Sequence, residues 1–167
     1  MTISKKMETA LNKQLNEELY SSYLYLSMSA YFEDQNLSGM AQWMKLQSDE
    51  EHEHAMKFYD FLIRIGARVQ LDAIKKPQKT WSSPMAAFEA AYKHEKFISE
   101  CINKLADLAM AEKDHASNTF LHWFVDEQVE EESAASDIVE SFKMIGESKS
   151  ALFMLDRELG RRGAAQQ

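Results

Sequence analysis

The sequence predicts an all-α fold: a four-helix bundle with one long crossover between its second and third helices, closed by a short fifth helix at the C-terminus. Three observations predict it. Only 5 Gly and 2 Pro occur in 167 residues, too few for a turn-rich β architecture. Between these breakers lie four long stretches rich in Leu, Met, Ala, Glu, Lys and Gln, the good helix formers. Within each stretch the seam residues recur at alternating steps of three and four, as on a bundle helix.

The first helix is expected over 4–32, with Met7, Leu11, Leu15, Glu18, Ser22 and Tyr25 along its seam. The second is expected over 38–65, with Ser38 as N-cap and Gly66 just past its end. Its seam reads Met44, Gln47, Glu51, His54, Phe58, Phe61, Ile65. Ser83 as N-cap and Pro84 at the first helical position open the third helix, over 84–112. Phe88, Ala91, Glu95, Ile98, Ile102, Leu105 and Ala109 form its stripe. The fourth, over 117–144, carries Leu121, Phe124, Gln128, Glu131, Ala135, Ile138 and Phe142. Only the polar cappers Asp114, Ser117 and Asn118 mark the boundary between the third and fourth helices. A fifth helix over 151–159 stops at Gly160, and Arg161 to Gln167 reads as a frayed tail. Residues 1–167 are read as one domain.

Connection lengths set the topology. The short link at 33–37 makes the first two helices antiparallel neighbours. The link from Gly66 to Ser83 reaches up to ~60 Å when extended at ~3.3 Å per residue. A helix of about 28 residues is only ~42 Å long. The link can therefore cross the whole bundle and leave helices two and three parallel.

Charge and cysteine content narrow the function classes. With 27 acidic against 19 basic residues the net charge is −8, which disfavours nucleic acid as a partner and favours cations. The single Cys101 excludes an intramolecular disulfide framework. No apolar run approaches the ~20 residues of a membrane span, and the N-terminus has no apolar signal core. The expectation is a cytoplasmic protein with no membrane partner.

The informative feature interrupts the seams. Each of the four helices places a Glu near its middle where an apolar residue belongs: Glu18, Glu51, Glu95 and Glu131. His54 lies one turn after Glu51, and Gln128 one turn before Glu131, each pair on one helix face. One such Glu could be a solvated residue in a misread register; four at matching depth is another matter. Four carboxylates converging in a core must be protonated or neutralised, and the seams offer no Lys or Arg at that depth. Two divalent metals supply the needed charge. The imidazole suits iron better than it suits Mg²⁺ or Ca²⁺. The pattern fits a carboxylate-bridged dinuclear bundle site, with Glu18 and Glu95 as the single ligands and Glu51-x-x-His54 as one paired motif. Gln128-x-x-Glu131 replaces the other pair. One metal position should use Glu18, Glu51 and His54. The other should use Glu95 and Glu131, with Glu51 as bridge, and hold its metal less tightly for want of an imidazole.

These residues lie in the segments NEELYSSYLYLSMSAYF, SDEEHEHAMKFYDFL, AAYKHEKFI and FLHWFVDEQVEEE, which together resemble the bacterial non-haem ferritins over about residues 3–160. The resemblance implies a ferritin-like bundle assembled into a hollow cage of twenty-four identical subunits. Such a cage oxidises Fe²⁺ and stores Fe³⁺ as a mineral, with O₂ or H₂O₂ as oxidant. It places Glu18, Glu51, His54, Glu95, Gln128 and Glu131 at a diiron ferroxidase centre, with Tyr25 beside it. It assigns Glu50, Glu127 and Glu130 to a third iron site, to which Glu131 can also contribute. Helical geometry agrees that Glu50, and Glu127 with Glu130, point about 100° around their helices from the main ligands. The related bacterioferritins carry Glu-x-x-His in the fourth helix and a haem-ligating Met just after the second-helix Glu. Here those places hold Gln128-x-x-Glu131 and His52, so no haem is expected.

Two other readings compete. A diiron oxidase of the rubrerythrin kind stores nothing, but it also needs a Cys-x-x-Cys iron domain that one Cys cannot make. The other is a bundle with purely structural metals, or a helical interaction protein, whose acidic seam would then need a different explanation.

Overall fold

A computed structural model of the chain describes residues 3–164. Its helices are α1 (Lys5–Asp34), α2 (Ser38–Arg64), α3 (Pro84–Ala111), α4 (His115–Ile145) and α5 (Lys149–Leu159). There is no strand among the described residues. No helix among them is long and apolar enough to cross a membrane.

Local side chains cap four of the five helices. Ser4, Ser83, Asp114 and Ser148 accept from the backbone N–H of Met7, Ala86, Ser117 and Ala151 respectively. The fourth helix begins two residues before the expected Ser117. Asp114 is its cap, and the Ser117 hydroxyl returns a bond to Asp114 Oδ2 at 2.6 Å. The fifth begins at Lys149 because Ser148 caps it. Ser38 is not a cap: Leu37 holds that position and makes no side-chain bond. Instead Asp156 Oδ1 accepts from Met40 N at 2.8 Å, so α5 caps α2 from far along the chain. That approach requires Gly39. A Cβ there would lie 1.7 Å from the Asp156 carbonyl oxygen.

Cross-helix partners give the directions. Ser29 bonds the Ala41 carbonyl and Ser22 the Ser48 carbonyl, so α1 and α2 run antiparallel. Phe88 packs on Phe142 while Glu95 meets Gln128, so α3 and α4 do too. Trp43 packs on Phe88, and Glu51 lies by Glu95, making α2 and α3 parallel. The crossover between α2 and α3 is strapped to α1. Asn12 donates to the Arg68 carbonyl at 3.0 Å and accepts from Gln70 N at 2.6 Å. Further along, Lys75 lies 4.2 Å over the Tyr20 ring, Ser27 donates to the Gln78 carbonyl, and Trp81 packs on Tyr31. These contacts satisfy backbone groups that a loop without secondary structure would otherwise leave unpaired.

The core is divided. One apolar cluster gathers Met28, Phe32, Met44, Phe88 and Phe142 toward the α5 end. Another gathers Leu11, Leu15, Phe58, Ile102 and Phe124 toward the opposite end. Between them lies a buried polar layer.

Candidate metal centre

Each bundle helix contributes to this layer because its acidic residue keeps the seam register. Glu18 and Glu95 are 1% exposed, Glu51 2%, His54 3%, and Glu131 and Gln128 6%. Their donor atoms form three groups, in each of which the atoms lie within 4.8 Å of one another. Glu18, Glu51 and His54 form the first, Glu51, Glu95 and Glu131 the second, and Glu50, His54, Glu127 and Glu131 the third. The groups share corners: Glu51 joins the first to the second, Glu131 the second to the third, and His54 the first to the third. Glu130 is exposed and outside these groups, although its charge acts on Glu127.

Neighbouring side chains orient the candidate ligands. Gln14 donates to Glu18 Oε1 at 2.8 Å. Gln47 donates to both Glu51 Oε1 at 3.0 Å and Glu131 Oε2 at 2.8 Å. Gln128 donates to Glu95 Oε2 at 3.2 Å, and the Tyr25 hydroxyl donates to Glu95 Oε1. His54 Nδ1 sits 3.3 Å from Glu51 Oε2, with its ring edge-on to Trp123 and Phe124. Tyr25 packs in turn on His94, whose Nε2 lies 2.7 Å from the Ser21 hydroxyl.

The electrostatics are those of a crowd of like charges out of water. Burial, with the Glu51 charge added, pushes the Glu18 carboxyl up to about 8. Burial and the charges of Glu95 and Glu131 push Glu51 well above the usual carboxylate range. Glu95 and Glu131 are raised in the same way, by burial first. Burial and the Glu95 charge also raise the Tyr25 phenol, and burial lowers His94 to about 4. The four carboxyls and the Tyr25 phenol are therefore biased toward their protonated forms near neutrality, ready to exchange protons for a cation, whereas the His94 ring is held neutral. Glu18 Oε2 is buried with no hydrogen-bond partner among the described residues. A buried polar atom without a partner is costly. A cation bound by Glu51 and His54 would meet it.

The Ferritin family, described as a ferritin-like domain, matches residues 8–145. The chain belongs to the ferritin family. It is 44% identical to the bacterial non-heme ferritin of Bacteroides fragilis, over 96% of this chain and 99% of that one. It is 36% identical to the bacterial non-heme ferritin of Campylobacter jejuni, over 93% of each. Among solved structures, it is similar to an open-pore ferritin from the hyperthermophilic archaeon Archaeoglobus fulgidus. That likeness has 52% identity and a TM-score of 0.94, and covers 95% of this chain and 96% of that one.

Several contacts of this ferritin escape sequence reasoning. Gln14 and Gln47 each stand one turn before a buried Glu, and that i, i+4 spacing was the available signal. Arg162 is unsignalled. It lies in the segment expected to fray, yet its guanidinium bonds Glu50 Oε2 at 2.6 Å and Gln47 Oε1 at 2.8 Å. Residues 165–167 of that expected tail lie outside the described residues.

Proposed function

We propose that this ferritin stores iron by oxidising Fe²⁺ at the centre built on Glu18, Glu51, His54, Glu95 and Glu131, inside a closed cage of twenty-four subunits. One observation carries the reading. Four carboxylates and an imidazole from all four bundle helices share a buried layer that leaves Glu18 Oε2 unpartnered. Iron is the substrate, entering as Fe²⁺ and leaving as Fe³⁺, with O₂ or H₂O₂ as electron acceptor.

The chain's own groups do the following work. Glu18, Glu51 and His54 bind one Fe²⁺, and Glu51, Glu95 and Glu131 bind another, with Glu51 common to both. Each carboxyl releases its proton as iron arrives, so uptake is coupled to proton loss. Gln14, Gln47 and Gln128 hold the carboxylate oxygens in place, as hydrogen-bonded partners of ligands do. The Tyr25 hydroxyl holds Glu95. The second position has no imidazole and gives up its ion more readily. Glu131 belongs to both the second and the flank group, so an ion can pass between them without losing all its ligands at once. Glu50 and Glu127 then act as a transit site, with Glu130 alongside. Helix α5 and its exposed Phe153 and Met154 supply apolar surface that contacts between subunits can cover.

The test is stopped-flow absorbance after mixing the metal-stripped protein with Fe²⁺ in air. Glu18→Ala and His54→Ala should each abolish the fast phase while the cage still forms. An unchanged fast phase in both variants refutes the assignment. Sedimentation of a stable monomer at micromolar concentration refutes the cage.

A further inference from the structure

Glu50 sits between a cluster of possible metal donors and a guanidinium. Its carboxylate belongs to the flank group with His54, Glu127 and Glu131, and it is also gripped by Arg162. The grip is a built arrangement. The Arg162 guanidinium lies 4.4 Å over the Trp43 ring, and it bonds Gln47 Oε1 and Glu50 Oε2. Trp43, Gln47 and Glu50 follow one another at steps of four and three, a single stripe of α2. Two glycines bring the chain back to that stripe. Gly160 crosses α2 with its Cβ position only 3.0 Å from Gly39 Cα. Gly163 turns with φ +83°, a conformation costly for a side-chain-bearing residue, and lies against Leu46.

The same guanidinium sets Gln47. With Oε1 accepting from Arg162, the amide directs Nε2 to Glu51 and Glu131. The flipped amide would set its oxygen against two carboxyls and its NH₂ against a guanidinium. Arg162 thus touches the flank site through Glu50 and steadies the bridging carboxyl through Gln47.

We propose that Arg162 is an internal competitor for the flank site: it occupies Glu50 when the site holds no metal and is displaced when a metal ion binds there. The proposal rests on the reading of Glu50 and Glu127 as metal ligands. A fixed positive charge and a divalent ion on one carboxylate repel, so one leaves as the other arrives. Linkage makes the effect reciprocal: metal loosens residues 160–164, and loss of the arginine tightens metal binding. The C-terminal segment is then a positioning element that senses whether the transit site is filled.

The experiment uses the full-length, metal-stripped assembly and Zn²⁺ as a redox-inert probe. Calorimetric titration should show tight binding at the main centre and a weaker class at the flank. Arg162→Gln should strengthen only the weaker class, by at least ~5-fold, the lower end of ordinary coupling. Arg162→Lys, which keeps charge but not the two-pronged grip, should fall between. Independently of any variant, hydrogen exchange at residues 160–164 of the wild type should quicken when the weaker class fills. Glu50→Gln should remove that quickening. If the weaker class fills with affinity unchanged in Arg162→Gln and exchange at 160–164 does not move, the competitor role is refuted while the metal reading stands. If no weaker class appears in the wild type or in Arg162→Gln, the flank site and the competitor role fall together.

Discussion

Replacing Glu18 by Gln separates the cost of the acidic centre from its use. The substitution keeps the size of the side chain and an oxygen to accept from Gln14, and it turns the unpartnered Oε2 into a donor facing Glu51. Folding raises the Glu18 carboxyl from 4.5 to about 8. The stability associated with its protonation is therefore complete below about pH 4.5 and is lost as pH rises through about 8. At pH 7 the unfolded chain has an ionised Glu18 and the folded one must take up a proton, at a cost of about 3 kcal/mol at 1.36 kcal/mol per pH unit. The amide escapes that cost. Metal-stripped Glu18→Gln should thus melt about 6–12 °C above wild type at pH 7, at about 2–4 °C per kcal/mol for a chain of this size. At pH 5 the difference should shrink below about 1 kcal/mol. Zn²⁺ should reverse the order, because the wild type gains a metal the amide binds poorly. Calorimetric melting in chelator, from pH 5 to pH 8 and then with Zn²⁺, measures all of this. A variant less stable than the wild type without metal, or a difference flat in pH, would show that Glu18 is not a buried carboxyl under strain.

Other perturbations test the rest of the fold and site. Gly39→Ala forces a Cβ into the Asp156 carbonyl and should cost about 3 kcal/mol, read as a lower denaturant midpoint and faster hydrogen exchange in α5. Asn12→Ala removes both strap bonds to the crossover and should cost about 1–3 kcal/mol, with exchange rising first at residues 68–70. Zn²⁺ binding by wild type in weak buffer at pH 7 should release protons, and its affinity should rise with pH up to about 8, as a potentiometric titration can follow. Replacing Glu50, Glu127 and Glu130 together by Ala should spare the fast oxidation phase but alter the ratio of iron oxidised to oxygen consumed. Unaltered stoichiometry and turnover would reduce that cluster to surface charge.

The helices were legible because their breakers and caps are local. Pro84 after Ser83, and Gly66 beyond α2, can be read within a few residues of each boundary. The acidic layer was legible for a related reason: a Glu breaking an apolar seam is conspicuous, and four at one depth constrain one another. What sequence could not give is whatever closes over a long separation. The cap of α2 comes from Asp156, so Ser38 looked like the better candidate. Asn36 and Lys113 turn the chain at φ 57° and 56° without a glycine, which blurred the ends of α1 and α3 respectively. Arg162 stands 112 residues from Glu50, and nothing in its neighbourhood hints at a partner. Glu130, assigned with Glu127 to the third iron site by the resemblance, is exposed and lies outside the group that gathers Glu50, Glu127 and Glu131.

The strap along α1 has a consequence for alignment. The proposed ligands are divided between two hairpins: α1 and α2 carry Glu18, Glu51 and His54, while α3 and α4 carry Glu95 and Glu131. Two helical hairpins joined by a slack tether could slide along their common seam by one turn, about 5.4 Å, and still interlock ridge with groove. Such a slip exceeds the 4.8 Å within which the donor atoms of Glu51, Glu95 and Glu131 now lie. By fastening Arg68, Gln70 and Gln78 at successive points of α1, the crossover fixes where α3 must begin. A segment that contributes no ligand thereby acts as the ruler that brings the two halves of the centre to the same height.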